Sequence, residues 1–298
     1  MPLKYIAAGP NGGDRDWTTR FFKMLTSRGQ NALNDVFGWA LHYYAGNTGD
    51  RNAIRFSTDE WYDMLVRADR MESLVTQTWS AMAESDPTHK VKLLVDEWGA
   101  WHAGAAEMPP NYLWAYPGTL RDALVAALTL DTFNRHADKI AMANVAQLVN
   151  TIHSLFMAHE DRFIVTPNFH VFAMYAAHQG ATAVRTVFSA PEISMTRPDR
   201  TVALWGLAGS ASIRDKTVTV TVVNPHATTE RECAIAVRGA SVKSVEATTL
   251  SSADLRAHNS FEQPNALAPR SGAVAPRAGE PVHTFAAASV TRLQLTLV

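Results

Sequence analysis

Cysteine is all but missing from this chain: Cys233 is the only one in 298 residues. A disulfide within one chain is therefore excluded, and so is a cysteine-built zinc site. No apolar run approaches the roughly 20 residues that cross a bilayer. Net charge is −1 with no long basic or acidic block, which excludes a dedicated nucleic-acid or membrane-surface binder. The eleven histidines show no HExxH or similar ligand spacing, so neither a metal nor another cofactor is expected. There is no Gly-x-Ser-x-Gly elbow. The glycines of Gly9-Pro10-Asn11-Gly12-Gly13 do not fit a dinucleotide or phosphate loop and read as a tight strand-to-helix turn. The opening Met1-Pro2-Leu3-Lys4-Tyr5-Ile6 lacks the charged leader, long apolar stretch and cleavage site of a secretory signal. With a single cysteine, this fits a reducing cytoplasm.

Present instead is material for a large core, with 47% apolar and 18% charged residues. The run Val91-Lys92-Leu93-Leu94-Val95 reads as a buried parallel strand, ending at Asp96-Glu97 and followed by Trp98-Gly99-Ala100-Trp101. Alternation puts Val91, Leu93, Val95 and Glu97 on one face and Leu94 and Asp96 on the other. If the odd residues line a barrel, Glu97 stands at its mouth. Strand-like runs at Leu3–Ala8, taken as buried, at Val36–Tyr44 and at Ile140–Val149 also end in polar residues. Helical patterns separate them. One is capped by Asp16, with a stripe of Phe21, Phe22, Met24 and Leu25. A second begins at a Ser57/Glu60 capping box, a third covers Leu120–His136, and a last opens near Thr166-Pro167. Gly104–Pro117 reads as a long loop. Four βα units amount to half of an eightfold barrel. After Gly180, alternating β-branched segments with Gly-, Asn- and Pro-rich turns signal an antiparallel sandwich, with Ala257–Gly279 as a long surface loop. The expected fold is α/β plus all-β: half a TIM barrel over 1–180 and a β-sandwich over 181–298.

Several stretches resemble α-L-arabinofuranosidases of glycoside hydrolase family 51. They are Leu41-His42-Tyr43-Tyr44-Ala45-Gly46-Asn47, Asp96-Glu97-Trp98-Gly99-Ala100-Trp101, Asp131 to Asp138, Ala143 to Asn150, and Asn259-Ser260-Phe261-Glu262-Gln263-Pro264. The likeness runs in order through nearly the whole chain. It implies a retaining exo-glycosidase with a (β/α)8 barrel and a jelly-roll-like sandwich, of which this chain would hold the second half of the barrel. Glu97 would be the nucleophile, Tyr44 its hydrogen-bond partner, Gln147 and Trp101 contacts to the arabinose, and His42 part of the shell behind the site. The implied substrate is an oligosaccharide or polysaccharide carrying terminal arabinofuranosyl groups. Taken singly, Gln147 equally fits a surface polar group, and His42 or Tyr44 a packing residue.

A retaining glycosidase needs a second carboxylate, roughly 5–5.5 Å from the first. In the family this acid/base glutamate follows an asparagine, and the chain has no Asn-Glu pair. Three accounts remain open: a fragment of a longer enzyme, a subunit completed by an N-terminal half-barrel, or a relic or carbohydrate-binding protein that does not cleave. A related clan glycosidase, a β-xylosidase or endoglucanase, is the enzyme alternative. Asp96 and Glu107 are the residues to test if the chain alone proves fully active. Open strand edges predict self-association or a complementing partner.

Overall fold

The computed structural model describes residues 3–46, 52–102, 115–196, 201–277 and 280–298. Four parallel strands form one sheet in the order β1 (Tyr5–Ala7), β2 (Val36–Gly46), β3 (Lys92–Trp101), β4 (Ile140–Val145). Helices α1 (Arg15–Thr26), α2 (Thr58–Ala83), α3 (Leu120–Arg135) and α4 (Pro167–Tyr175) follow the strands in turn. This is a partial (β/α) barrel. Ser57 and Glu60 cap α2 reciprocally, each bonding the other's backbone N–H. Asp14, not Asp16, caps α1 by accepting from the Trp17 N–H, because the helix begins at Arg15, two residues earlier than a cap at Asp16 would set it. Met24 is 67% exposed and does not belong to the buried stripe of α1. A hairpin of β5 (Phe156–His159) and β6 (Arg162–Val165), unforeseen in the sequence, sits between β4 and α4. β4 itself stops at Val145, short of the expected Val149.

The buried core lies between the sheet and the helices. Trp39, Leu41, Val91, Leu93, Val95, Trp98 and Ala100 pack with α2 and α3 residues such as Met64, Leu65, Met71, Leu124 and Leu128. Leu93 and Val95 thus face the helical layer, correcting the expectation that odd residues line the barrel. Leu94 takes the other face, where a Cβ on Gly38 would lie 1.9 Å from its Cδ1. The strand at Tyr5–Ala7 is not buried: Tyr5 is 61% and Ile6 44% exposed. Within the described residues, β1 pairs only with β2 and β4 only with β3, so both edges of the sheet are open there.

The second half is a β-sandwich. Its large antiparallel sheet has the order β14 (Arg270–Ala273), β13 (Val242–Ser251), β17 (Ser289–Leu297), β11 (Thr217–Asn224), β10 (Ala208–Arg214), β7 (Thr182–Val184). Facing it is a small sheet of β12 (Arg231–Ala234), β16 (Glu280–Phe285) and β15 (Pro276–Arg277); β8 (Ile193–Thr196) and β9 (Thr201–Leu204) pair separately. In β11 the alternation is put to double use. Val218 and Val222 enter the sandwich core with Phe285, Leu293 and Leu295. Thr219 and Thr221, also buried, take the other face, where Thr221 meets Asp131 of α3. There Asp131 accepts from Thr221, Ser210 and Tyr175 hydroxyls at 2.6, 2.7 and 2.8 Å. Further joints run from α2: the Trp61 indole donates to the Pro225 carbonyl at 2.9 Å and the Tyr62 hydroxyl accepts from the Ala227 N–H. Ala257–Gly279 is not simply a surface loop. Leu267 and Asn259 are buried, Thr119 bridges to His258 at the start of α3, and residues 270–273 join the large sheet. One apolar cluster therefore runs from the helices into Val223, Leu250, Ala288 and Val290 of the sandwich. No helix among the described residues is long and apolar enough to cross a membrane.

Candidate active site

The C-terminal ends of β2 and β3 lie side by side, with His42 paired to Glu97, Tyr44 to Gly99 and Gly46 to Trp101. Two residues of β2 (Leu41, His42) advance against three of β3 (Val95, Asp96, Glu97) between the pairs Ala40–Leu94 and His42–Glu97. The extra residue is a β-bulge, which redirects side chains beyond it. Trp98 and Ala100 thereby return to the helical side, and Glu97 joins His42 and Tyr44. The turn after β1 fixes this end of β2. The His42 N–H donates to the Pro10 carbonyl at 3.2 Å, and the His42 carbonyl accepts from the Gly12 N–H at 2.7 Å.

Each oxygen of Glu97 has a neighbour. The Tyr44 hydroxyl donates to Oε1 at 2.7 Å, and His42 Nδ1 lies 2.7 Å from Oε2. His42 Nε2 lies 3.1 Å from Asp96 Oδ1, so Asp96 does not point away from Glu97 as simple alternation predicts. Burial, and then the hydrogen bond and charge of Glu97, push the Tyr44 hydroxyl well above its ordinary range, so it remains a donor. Trp101 meets Tyr44 edge-on, centroids 5.1 Å apart, and both rest on Ala53, Tyr116 and Ile152. The Glu97 side chain is 36% exposed, so a ligand can reach it. Gln147 follows β4 and is exposed; its N–H donates to the Ile152 carbonyl, while the neighbouring Ala146 N–H donates to that of Trp98.

Behind the end of β3 sits a buried polar group that the sequence did not reveal. Asp122, in the first turn of α3, accepts from the Thr119 N–H and, at 2.7 Å, from His102 Nε2. Arg121 reaches His102 Nδ1 at 3.2 Å. A guanidinium can only donate, so His102 carries its proton on Nε2. Burial alone would raise the Asp122 carboxyl, but His102 and Arg121 outweigh it and hold it well below the usual carboxylate range. His153 is fully buried against Gly99. Burial pulls it down to about 4, and neither ring nitrogen has a hydrogen-bond partner. The Thr-x-x-Asp spacing at 119–122 was the readable trace of this arrangement; His102 and His153 left none. Among the described residues no cluster of three or more His, Cys, Asp or Glu could hold a metal ion.

Residues 96–289 match the sequence profile of the family described as the α-L-arabinofuranosidase C-terminal domain. The chain belongs to the α-L-arabinofuranosidase family. Its similarity to glycoside hydrolase family 51 extends to solved structures: the family 51 arabinofuranosidase of Xanthomonas axonopodis pv. citri superposes with a TM-score of 0.89 at 30% identity, covering 99% of this chain and 59% of that one. An intracellular exo-α-L-arabinofuranosidase of Bacteroides ovatus is 31% identical over 89% of this chain and 50% of its own length. An intracellular exo-α-(1→5)-L-arabinofuranosidase of Bacillus subtilis is 26% identical over 76% of this chain and 46% of its own. The chain spans about half the length of the curated relatives it matches.

Of the residues singled out by resemblance to this arabinofuranosidase family, the fold brings His42, Tyr44, Glu97 and Trp101 into contact as one group. Gln147 lies one residue past the backbone bond to β3, with no described side-chain partner in that group. Glu107 lies outside the described residues, as do residues 47–51 and 103–114.

Proposed function

We propose that this arabinofuranosidase-family chain supplies the nucleophilic half of a retaining exo-glycosidase that releases terminal α-L-arabinofuranosyl groups from oligosaccharides or polysaccharides. The observation that carries the reading is Glu97, at the end of a parallel strand, with one oxygen hydrogen-bonded by Tyr44 and the other against His42. A carboxylate so placed is held in one orientation and aimed outward, as attack on an anomeric carbon requires. The bond that forms joins a Glu97 oxygen to the sugar; the bond that breaks leaves the aglycone with the electron pair. Trp101 supplies an apolar wall, and Gln147 an amide that can donate to and accept from sugar hydroxyls.

The second carboxylate, which protonates the leaving oxygen and then activates water, is assigned to a complementing half-barrel. Asp96 is not given this role: its Oδ1 is shut off from solvent and faces His42 rather than the open side of the site. The edges of β1 and β4, unpaired among the described residues, are where such a half would dock. The intracellular location in the relatives' names is part of the proposal.

An aryl arabinofuranoside with a dinitrophenolate leaving group tests this, because that group departs without protonation. The expected results are an arabinosyl adduct on Glu97, seen by peptide mass spectrometry, and none in Glu97→Gln. Ordinary aryl arabinofuranosides should turn over weakly on the chain alone and faster with an added N-terminal half-barrel. An adduct on another residue, or none with or without that half, overturns the assignment.

A further inference from the structure

Regular alternation would put Asp96 and Glu97 on opposite faces of β3. The bulge avoids this in both flanking ladders. Toward β2, three residues of β3 advance against two, and toward β4 the pairs Val95–Ala143 and Trp98–Val145 again set three against two. The result is one imidazole between two carboxylates, Glu97 Oε2 at 2.7 Å from Nδ1 and Asp96 Oδ1 at 3.1 Å from Nε2. The Asp96 Oδ1 atom is shut off from solvent and makes no hydrogen bond, the 3.1 Å approach of the His42 ring included. A buried carboxylate oxygen without a donor is costly, so a positive charge on the ring beside it would be its compensation.

We infer that Asp96 is a positioning residue that acts on Glu97 through His42, an assignment that rests on Glu97 being the nucleophile. A neutral imidazole would turn a lone pair toward one of the two anions; a ring protonated on both nitrogens suits both. The trio then carries one net negative charge. When Glu97 becomes an ester its charge disappears, and Asp96 and His42 remain as a neutral pair. When the sugar leaves, the Glu97 anion returns to a waiting cation. Without Asp96 the ring loses the second anion that keeps it protonated, and Glu97 faces a neutral imidazole that is free to turn and no longer holds its carboxylate in place.

Long-range proton–nitrogen NMR of the full chain at neutral pH reads the ring directly, and the rate of Glu97 arabinosylation by the dinitrophenyl arabinofuranoside reads the consequence. Both His42 nitrogens should be protonated in the parent. Asp96→Asn should remove that signature and slow labelling about 10-fold or more, the scale on which outer partners of a functional group act, at nearly unchanged substrate half-saturation. Glu97→Gln should also return His42 to a singly protonated ring, which keeps the test valid if Asp96→Asn fails to fold. A singly protonated His42 in the parent, or an Asp96→Asn chain with unaltered spectrum and labelling rate, overturns the inference. A doubly protonated ring that responds to Asp96→Asn in a chain that is never labelled supports the link between the two residues and sinks the nucleophile reading instead.

Discussion

At Glu97 each oxygen is met by a different residue of β2, so the two contacts can be removed separately. Tyr44→Phe takes away one charge-assisted hydrogen bond, a contact of about 1.5–3 kcal/mol. The labelling rate should fall about 10- to 100-fold while the fold survives, since the ring still packs on Trp101. Behind the site, Asp122 is the residue whose loss the fold should feel most. It is fully buried and answers Thr119 and His102, so Asp122→Ala should cost about 3 kcal/mol or more, seen as a lower denaturation midpoint. Because its carboxyl is held below its ordinary value, this contribution is complete above the unfolded value of about 3.9 and is lost only as pH falls through the folded one. At this scale the sequence was a fair guide to residue types and a poor one to direction. Resemblance singled out Glu97, Tyr44, His42 and Trp101, which the fold gathers. Asp96 and Glu97 were set on opposite faces because counting by twos cannot detect a bulge, and His153 was invisible because nothing in its neighbours announces burial.

The elements were legible where a local rule governs them. The α2 capping box and apolar stripe and the start of α4 at Pro167 follow from spacing alone, whereas α2 ends at Ala83, before the expected stop at Asp86-Pro87. The strands missed, β5, β6, β8, β10, β14, β15 and β16, are short or carry small and polar residues, such as Gly209, Ser210 and Ser212 in β10. Their pairing depends on partners distant in the chain. The joint between α3 and the large sheet belongs to this scale, and it carries a pH signature. Burial pushes Asp131 up to about 6, despite three hydroxyl donors. Burial pulls His153 and His178 down to about 4. Between about pH 4 and 6 the unfolded chain binds more protons on these two histidines, whereas the folded chain binds more on Asp131. Two opposed by one leaves stability falling as the solution is acidified. Asp131→Asn removes the opposing member, so its midpoint in urea should fall more steeply than the parent's from pH 6.5 to 4.5. Equal slopes would show that Asp131 titrates normally.

For the whole molecule, the two halves share one buried cluster, from Leu124 and Phe133 to Val223 and Val290. Unfolding should therefore be a single transition, with tryptophan fluorescence and far-ultraviolet dichroism changing together; two separate steps would contradict a common core. The inner face of the parallel sheet, with Tyr5, Ile6 and Met142 partly exposed and both sheet edges unpaired among the described residues, predicts concentration-dependent self-association in light scattering. That association should be suppressed when a complementing half-barrel is added. The same one-sided enclosure bears on the fate of an arabinosyl group carried by Glu97. A carboxylate with a third of its surface open offers the attached sugar to whatever the medium contains. Added methanol should therefore compete with water in proportion to its abundance, yielding methyl arabinofuranoside, until a second wall makes the choice of acceptor the protein's own.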